Sequence, residues 1–298
     1  MAVEQTYDDA AVREDLANEI ENISPIENYF LKNLQKAKAM ATTHVNLVET
    51  LKTPATNKVI EGAATTYGAR TRPTRVDNVT QIVEIPFNVS DTERWVRHAG
   101  FDDRYAHEAD KAMKEWGNDS EYSVVRGTRA NGNGSTAREM DGIINKIDTN
   151  IIDGTSTAVW NEGTLNDLSE LCYWEGGAPQ DLFLPPALKR TTSTFTNGDM
   201  QYDRKSGRLV STVREYEGDY ETIAIHKHRF VNDQVDSVFR ALLLQLDKWA
   251  IAYGDKPHEE ELAKVGNSTN GHVVGELTLE ARAENANGAA INMVDVAP

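Results

Sequence analysis

SDTERWVRHAGFDDRYAHEADKAMKEWG, residues 90–117, is the longest stretch whose apolar spacing and end signals agree on helix. Ser90 and Glu93 have capping-box spacing, in which a hydroxyl and a carboxylate satisfy the free amides of a first turn. Gly100 is placed to end that turn. A longer run follows, with Tyr105, Ala109, Ala112, Met113 and Trp116 at helical intervals and mostly charged residues between them. The expected element is a helix over Asp102–Trp116 with one narrow packing stripe, stopped at Gly117. At about 1.5 Å per residue it spans roughly 22 Å, enough for a strut between two parts of a molecule.

The 298 residues suffice for one large domain or two smaller ones. With 39% hydrophobic residues and no apolar run near the ~18 residues that cross a bilayer, the chain reads as soluble and without membrane partners. The N-terminus, MAVEQTYDDAAVREDLANEIENI, lacks the basic patch and apolar block of a secretory signal. Cys172 is the only cysteine, which excludes an intramolecular disulfide, a thiolate-rich zinc site and a CxxC redox pair, and suits a reducing cytoplasm. A formal charge of −16 opposes tight nonspecific binding to nucleic acid.

That charge is uneven. Residues 1–27 hold eight acids against Arg13 alone, whereas Arg70, Arg72 and Arg75 fall within six residues with no acid between them. The arginines read as an electrostatic contact with an acidic surface of another copy, which confers orientation more than affinity.

Residues 1–50 read as an arm. Apolar positions Val12, Leu16 and Ile20, then Phe30, Leu31, Leu34 and Leu47, are separated by Ser24-Pro25. They need cover from the rest of the subunit or from a neighbour. Over Thr53–Val89 the alternation of residues 80–87 predicts a strand, Asn57–Thr66 its partner, and Gly68–Asp77 a hairpin tip carrying the arginines.

Downstream, NGNGST (131–136) predicts a loop and Ala137–Ile144 a helix. A helix opens at Thr164, runs through Leu171 and Trp174 and ends at Gly176-Gly177. Asp181–Leu184 reads as a strand, and Pro185-Pro186 starts a helix to Thr192. YETIAIHKHRF (220–230) alternates as a strand, with Ile223 and Ile225 on one face. Across Val235–Tyr253 the periodicity by itself fits a helix. The tail, residues 272–296, reads as strand, turn at Asn285–Gly288, and strand, a closing hairpin.

Few residues suggest chemistry. His226 and His228 share a strand face, as in some metal sites, but no third ligand has a recognisable spacing, so they read as sheet or surface histidines. GTRANGNGST (127–136) has asparagine where a phosphate loop needs lysine at 133. Cys172, among apolar neighbours, reads as packing. Glu259-Glu260-Glu261 reads as a solvated helix start, and His98 and His107 as partly exposed. No catalytic, cofactor-binding or metal-binding residues are assigned, and no cofactor is expected.

The order of arm, projecting hairpin, strut helix, central mixed region and closing hairpin resembles the major capsid (major head) proteins of tailed bacteriophages, of the Hong Kong 97 type. The likeness is carried by collinear stretches: SPIENYFLKNL (24–34), TTHVNLVETL (42–51), FNVSDTERWVRHAGFDD (87–103), STAREMDGI (135–143), TLNDLSELCYWEGGAPQDLFLPPALKRTTSTF (164–195) and ELAKVGNSTNGHVVGELTLEARAENANG (261–288). It implies an α+β fold with residues 1–50 as N-terminal arm and 51–90 as extended β-hairpin loop over a neighbouring subunit. Residues 91–139 become the spine helix and peripheral domain, 140–265 an axial domain, and 266–298 a return to the peripheral domain as a β-hairpin. Within this likeness, residues 240–253 become strand, turn near Leu246-Asp247-Lys248, and strand. The acidic start of the arm departs from the family's pattern.

The implied function is structural, without enzymatic activity: hexamers and pentamers of an icosahedral head around double-stranded DNA. Portal and scaffolding or cement proteins would be partners, packaged DNA would be touched only weakly and nonspecifically, and the virion would assemble in the host bacterial cytoplasm. Two other readings stand beside it: an encapsulin-like compartment shell, and a soluble metal-dependent hydrolase using His226 and His228.

Overall fold

The computed structural model describes residues 24, 26–97, 103–195, 201–203, 208–210, 214–232 and 238–295. The expectations at Val12, Leu16, Ile20, Pro25, His98, Gly100 and Val235 lie outside the described residues.

The described part of the arm begins with a short helix, α1 (Tyr29–Asn33), followed by β1 (Gln35–Lys38) and β2 (Thr43–Val48). Phe30 and Leu34 are buried within the subunit, whereas Leu47 is 67% exposed. β2 pairs antiparallel with β3 (Thr74–Val79), from Thr43 opposite Val79 to Val48 opposite Thr74. This corrects the expected hairpin. The partner strand is Thr43–Val48 instead of Asn57–Thr66, and residues 49–73 between the two strands form no strand at all. Asn57–Thr66 is broken by Gly62 at φ +79°, in the left-handed region that strands do not use, while Thr43–Val48 supplies β-branched residues in an unbroken register.

β4 (Gln81–Ser90) alternates: Val83 and Val89 are buried while Ile82, Glu84 and Pro86 are exposed. It leads into α2 (Asp91–Trp95), where Ser90 Oγ accepts a hydrogen bond from Glu93 N at 3.1 Å. α3 (Arg104–Arg126) is 23 residues long, about 34 Å at the usual helical rise. It runs ten residues past Trp116, and Gly117 lies inside it. Packing explains the glycine: a Cβ there would sit 3.0 Å from Asn28 Nδ2. Beyond it Ser120, Glu121, Val124 and Val125 are wholly buried, so tertiary contact sustains the helix.

In the following loop Asn133 Oδ1 accepts from the amides of Ser135 and Thr136. The helix expected over Ala137–Ile144 is reduced to α4 (Ile143–Lys146), because Glu139 instead bridges Ala130. β5 (Ile151–Asp153) and α5 (Glu162–Trp174) come next, α5 capped by Asn161 and followed by Gly176 at φ +82°. β6 (Asp181–Leu184) and α6 (Pro186–Thr192) occupy the residues expected.

The short β7 (Gln201–Asp203) and β8 (Arg208–Val210) pair with each other, and β9 (Glu215–Glu217) pairs with β10 (Thr222–Lys227). β11 (Phe239–Leu244), a short turn at Leu246–Lys248 and β12 (Trp249–Leu262) replace the helical reading of 235–253. Ala241–Leu244 are fully buried. A strand covered on both faces gives a continuous apolar run that spacing alone cannot distinguish from a helix. Glu259–Glu261 belong to the exposed latter part of strand β12, not to a helix start.

β13 (Ser268–Ala281) and β14 (Gly288–Met293) complete the chain. They do not form the expected closing hairpin, for they enter different sheets. One sheet has the order β1-β12-β13-β4, the other β5-β14-β11-β6-β10-β9. Buried Asn287 fixes both passages between sheets: its Oδ1 accepts from Gln245 N at 2.8 Å and from Trp249 Nε1 at 2.9 Å. The six-stranded sheet buries Leu182, Leu184, Ile223, Ile225 and Leu243 in one cluster with Leu165, Leu168 and Cys172 of α5 and Leu188 of α6. Each large apolar side chain so buried contributes roughly 1.5–3 kcal/mol.

The described residues fall into two compact units. One holds Glu84–Trp116 and His258–Val274; the other holds Glu27–Val83, Gly117–Pro257 and Gly275–Asp295.

Candidate assembly surfaces

Residues 49–73 form the most exposed continuous segment among the described residues. Leu51 is 94%, Val59 78%, Ile60 84% and Tyr67 91% exposed. Arg70 and Arg72 lie within it and Arg75 at the start of β3, all exposed. Apolar side chains this bare are unusual on a protein surface, where large apolar groups are exposed mostly at sites of interaction. The base of the excursion is anchored. Asn46 Nδ2 donates to Ala281 O at 2.8 Å, and Asn78 Nδ2 to Leu279 O at 2.9 Å and Asp141 O at 3.0 Å. His44 meets Glu280 at 2.9 Å. Burial pushes the Glu280 carboxyl up, but hydrogen bonds from Arg282 and His44 outweigh it and hold the group below its ordinary range. At Asp77 the Arg129 guanidinium, 2.5 Å away, lowers the carboxyl pKa. A fixed base with a bare tip suits a segment that reaches outward.

The arm is held differently. α1 has no side-chain cap from its own Asn28; Glu121 of α3 supplies one, its Oε1 accepting from Phe30 N at 2.7 Å and its Oε2 from Leu31 N at 2.8 Å. His228 Nε2 lies 3.1 Å from Glu121 Oε1, and both side chains are buried. Tyr29, Phe30, Phe183, His226 and His228 form one ring cluster, with centroids 4.7 Å apart for Phe30–Phe183 and 5.1 Å for Phe183–His226. β1 then adds to the four-stranded sheet, parallel to β12, with Gln35 opposite Ala250. Sequence spacing missed Glu121, because its partners lie 90 and 107 residues away.

Along α3, Ala109, Ala112 and Trp116 are buried and Tyr105 is half-buried, while Met113, expected in the packing stripe, is 37% exposed at its margin. The Tyr105 ring sits 5.2 Å from Phe87 and under the Arg94 guanidinium at 5.5 Å. Gly271 lets it approach; a Cβ there would collide with the phenol oxygen. In the same unit His272 bridges two carboxylates, Nδ1 to Glu84 at 2.7 Å and Nε2 to Glu260 at 3.4 Å. The Glu84 bond raises its pKa, against a smaller effect of burial, and Glu260 adds to the rise.

The residues singled out for chemistry have structural occupations. His226 Nε2 lies 2.9 Å from Asp181 Oδ1, and His228 belongs to the arm's anchor. Burial pushes the Cys172 thiol up to about 12, the reverse of an activated nucleophile. No group of three potential ligands gathers among the described residues, and no helix among them is long and apolar enough to cross a membrane.

The sequence profile of the SU10 major capsid protein family matches residues 3–293. No curated protein sequence matches the chain. Among solved structures, one from Mycobacterium phage Adephagia shares 16% identity and a TM-score of 0.64, covering 100% of both chains. The capsid of Myoviridae phage XM1 shares 10% identity with a TM-score of 0.61, over 93% of this chain and 96% of that one. The holo-SrpI encapsulin complex of Synechococcus elongatus PCC 7942 shares 9% identity with a TM-score of 0.61, over 99% and 98%. The fold is α+β of the Hong Kong 97 type.

Proposed function

The chain belongs to the SU10 major capsid protein family, a structural component of the phage virion that assembles with copies of itself into a capsid lattice, and from that premise we propose how its parts divide the work. Hexamers and pentamers tile an icosahedral head around double-stranded DNA. Residues 1–50 act as the arm, 51–90 as the extended loop, 91–139 as spine helix and peripheral domain, 140–265 as axial domain, and 266–298 as the return to the peripheral domain. Portal and scaffolding or cement proteins complete the particle, which assembles in the host bacterial cytoplasm.

The observation that carries this reading is the excursion of residues 49–73, anchored at its base and bare along its length. Arg70, Arg72 and Arg75 orient it on an acidic surface of the adjacent subunit. Tyr105, Ala109, Ala112, Met113 and Trp116 are the spine helix's packing positions in this scheme, Met113 at the edge. Contacts between different patches on successive copies are heterologous, the kind that close into rings or extend into lattices. A net charge of −16 keeps packaged DNA from adhering to the wall, leaving only weak nonspecific contact. Replacing all three arginines by glutamate abolishes closed particles in electron micrographs on this reading; normal particles would remove the arginines' role.

An encapsulin-like shell is the alternative reading, favoured by the full-length likeness to the Synechococcus elongatus structure. The contents of purified particles separate the two: double-stranded DNA supports the head, packaged protein cargo the compartment.

A further inference from the structure

At the end of α5, Leu171, Tyr173 and Trp174 are 39%, 57% and 76% exposed, and Tyr220, in the turn before β10, is 37% exposed. The Tyr173 ring lies 5.6 Å from that of Tyr220 and 6.2 Å from Trp174, so the three rings form one patch, and Leu171, three residues before Trp174 in the helix, extends it on the Trp174 side. Trp174 Nε1 donates to Glu170 Oε1 at 3.2 Å. Asp167, Glu170, Glu175 and Asp219 are exposed around it. Residues 161–188 and 215–226, which supply the patch and its rim, contain no lysine or arginine. Exposed Trp and Tyr within a polar rim have the composition of an interface centre.

The rim selects the occupant. It repels nucleic acid, and it repels the chain's own residues 1–27, with their eight acids. It attracts a segment that is both cationic and apolar. Residues 49–75 fit: Lys52, Lys58, Arg70, Arg72 and Arg75 against Glu49 and Glu61, interleaved with bare Leu51, Val59, Ile60 and Tyr67. Because those apolar side chains are uncovered within their own subunit, the segment that docks comes from a different copy. We propose that the patch of Leu171, Tyr173, Trp174 and Tyr220, inside its acidic rim, receives residues 49–75 of an adjacent subunit. This rests on the reading that the excursion engages a neighbour, and it specifies where. Arginine over an exposed indole or phenol adds cation–π attraction to the charge pairing.

The test is a charge swap in the full-length chain, with particle yield read by sedimentation. Glu170→Lys with Asp219→Lys lowers the yield about tenfold or more, Arg70→Glu with Arg72→Glu does the same, and all four together restore it to within about twofold. If the arginine reversal blocks assembly while the lysine substitutions leave it intact, or if the combination restores nothing, the docking site is elsewhere, although the excursion still engages a neighbour. If neither pair has an effect, the arginines' role falls together with this docking site. Circular dichroism of each variant identifies a folding failure. A further measurement avoids charge changes: a chain carrying Tyr67→Cys is mixed during assembly with one carrying Trp174→Cys and then oxidised. A disulfide-linked dimer that reductant dissolves supports the docking; its absence from well-formed particles overturns it.

Discussion

Glu121 Oε1 and His228 Nε2 stand 3.1 Å apart with both side chains out of solvent, and the same carboxylate caps α1 through Phe30 N and Leu31 N. One group from the latter half of the long helix thereby joins α1 of the arm to the end of β10. A buried carboxyl is tolerated there because its oxygens accept from two backbone amides and face the His228 imidazole.

Removing that carboxylate leaves two helix amides and an imidazole without an acceptor. Glu121→Ala is expected to destabilise the subunit by about 3–5 kcal/mol, and Glu121→Gln by less, since the amide oxygen keeps one acceptor. Guanidinium denaturation of the purified subunit measures both; unchanged midpoints would show that the cap carries no weight.

His272 gives a pH dependence with a definite sign. Its folded-state pKa is raised by Glu84 and then Glu260, so its contribution is complete below the unfolded value of about 6.5 and fades as pH rises through the higher folded value. His272→Gln is therefore expected to lower thermal stability more at about pH 5.5 than at about pH 9. A wild-type-minus-variant difference that is flat with pH contradicts the bridge.

The thiol of Cys172 is buried and pushed up to about 12. A maleimide is expected to leave it unlabelled in the native protein and to label it fully in denaturant. Rapid native labelling, read by mass spectrometry, argues against this packing.

Gly127 and Gly142 mark where the end of α3 meets the chain returning toward α4. Gly142 N donates to Gly127 O at 2.9 Å, and a Cβ on Gly142 would fall 2.6 Å from Gly127 N. Gly142→Ala is expected to cost about 1–3 kcal/mol by overpacking. Gly134→Ala, with nothing within 4 Å of its Cβ, stays within about 0.5 kcal/mol. Equal unfolding midpoints for the two variants are incompatible with this approach.

Local signals located β6, α5 and α6 well, because polar caps, a Pro-Pro pair and a glycine pair punctuate short elements. They failed where long-range packing decides. Gly117 has the character of a helix stop, yet it is a gap filled by Asn28. Ala241–Leu244 carry no periodicity that separates strand from helix, and there the likeness to capsid proteins, not the spacing, led to the right assignment. The tail reads as a hairpin because its two strands are adjacent in sequence; that Asn287 sends them into different sheets depends on Gln245 and Trp249, some 40 residues upstream. Of the surfaces, the arginine cluster is visible as a charge anomaly. The Glu121 anchor and the Trp174 patch are not: the anchor joins residues far apart in the chain, and the patch has the sequence of an ordinary amphipathic helix end until its exposure is known.

The most direct measurement is a cryo-electron-microscopy reconstruction of particles assembled from this chain, with residues 49–73 traced. The expected result is a closed shell of hexamers and pentamers in which that segment, carrying Arg70 and Arg72, lies on an adjacent subunit. A soluble monomer, or a shell in which the segment folds back onto its own subunit, would contradict the account.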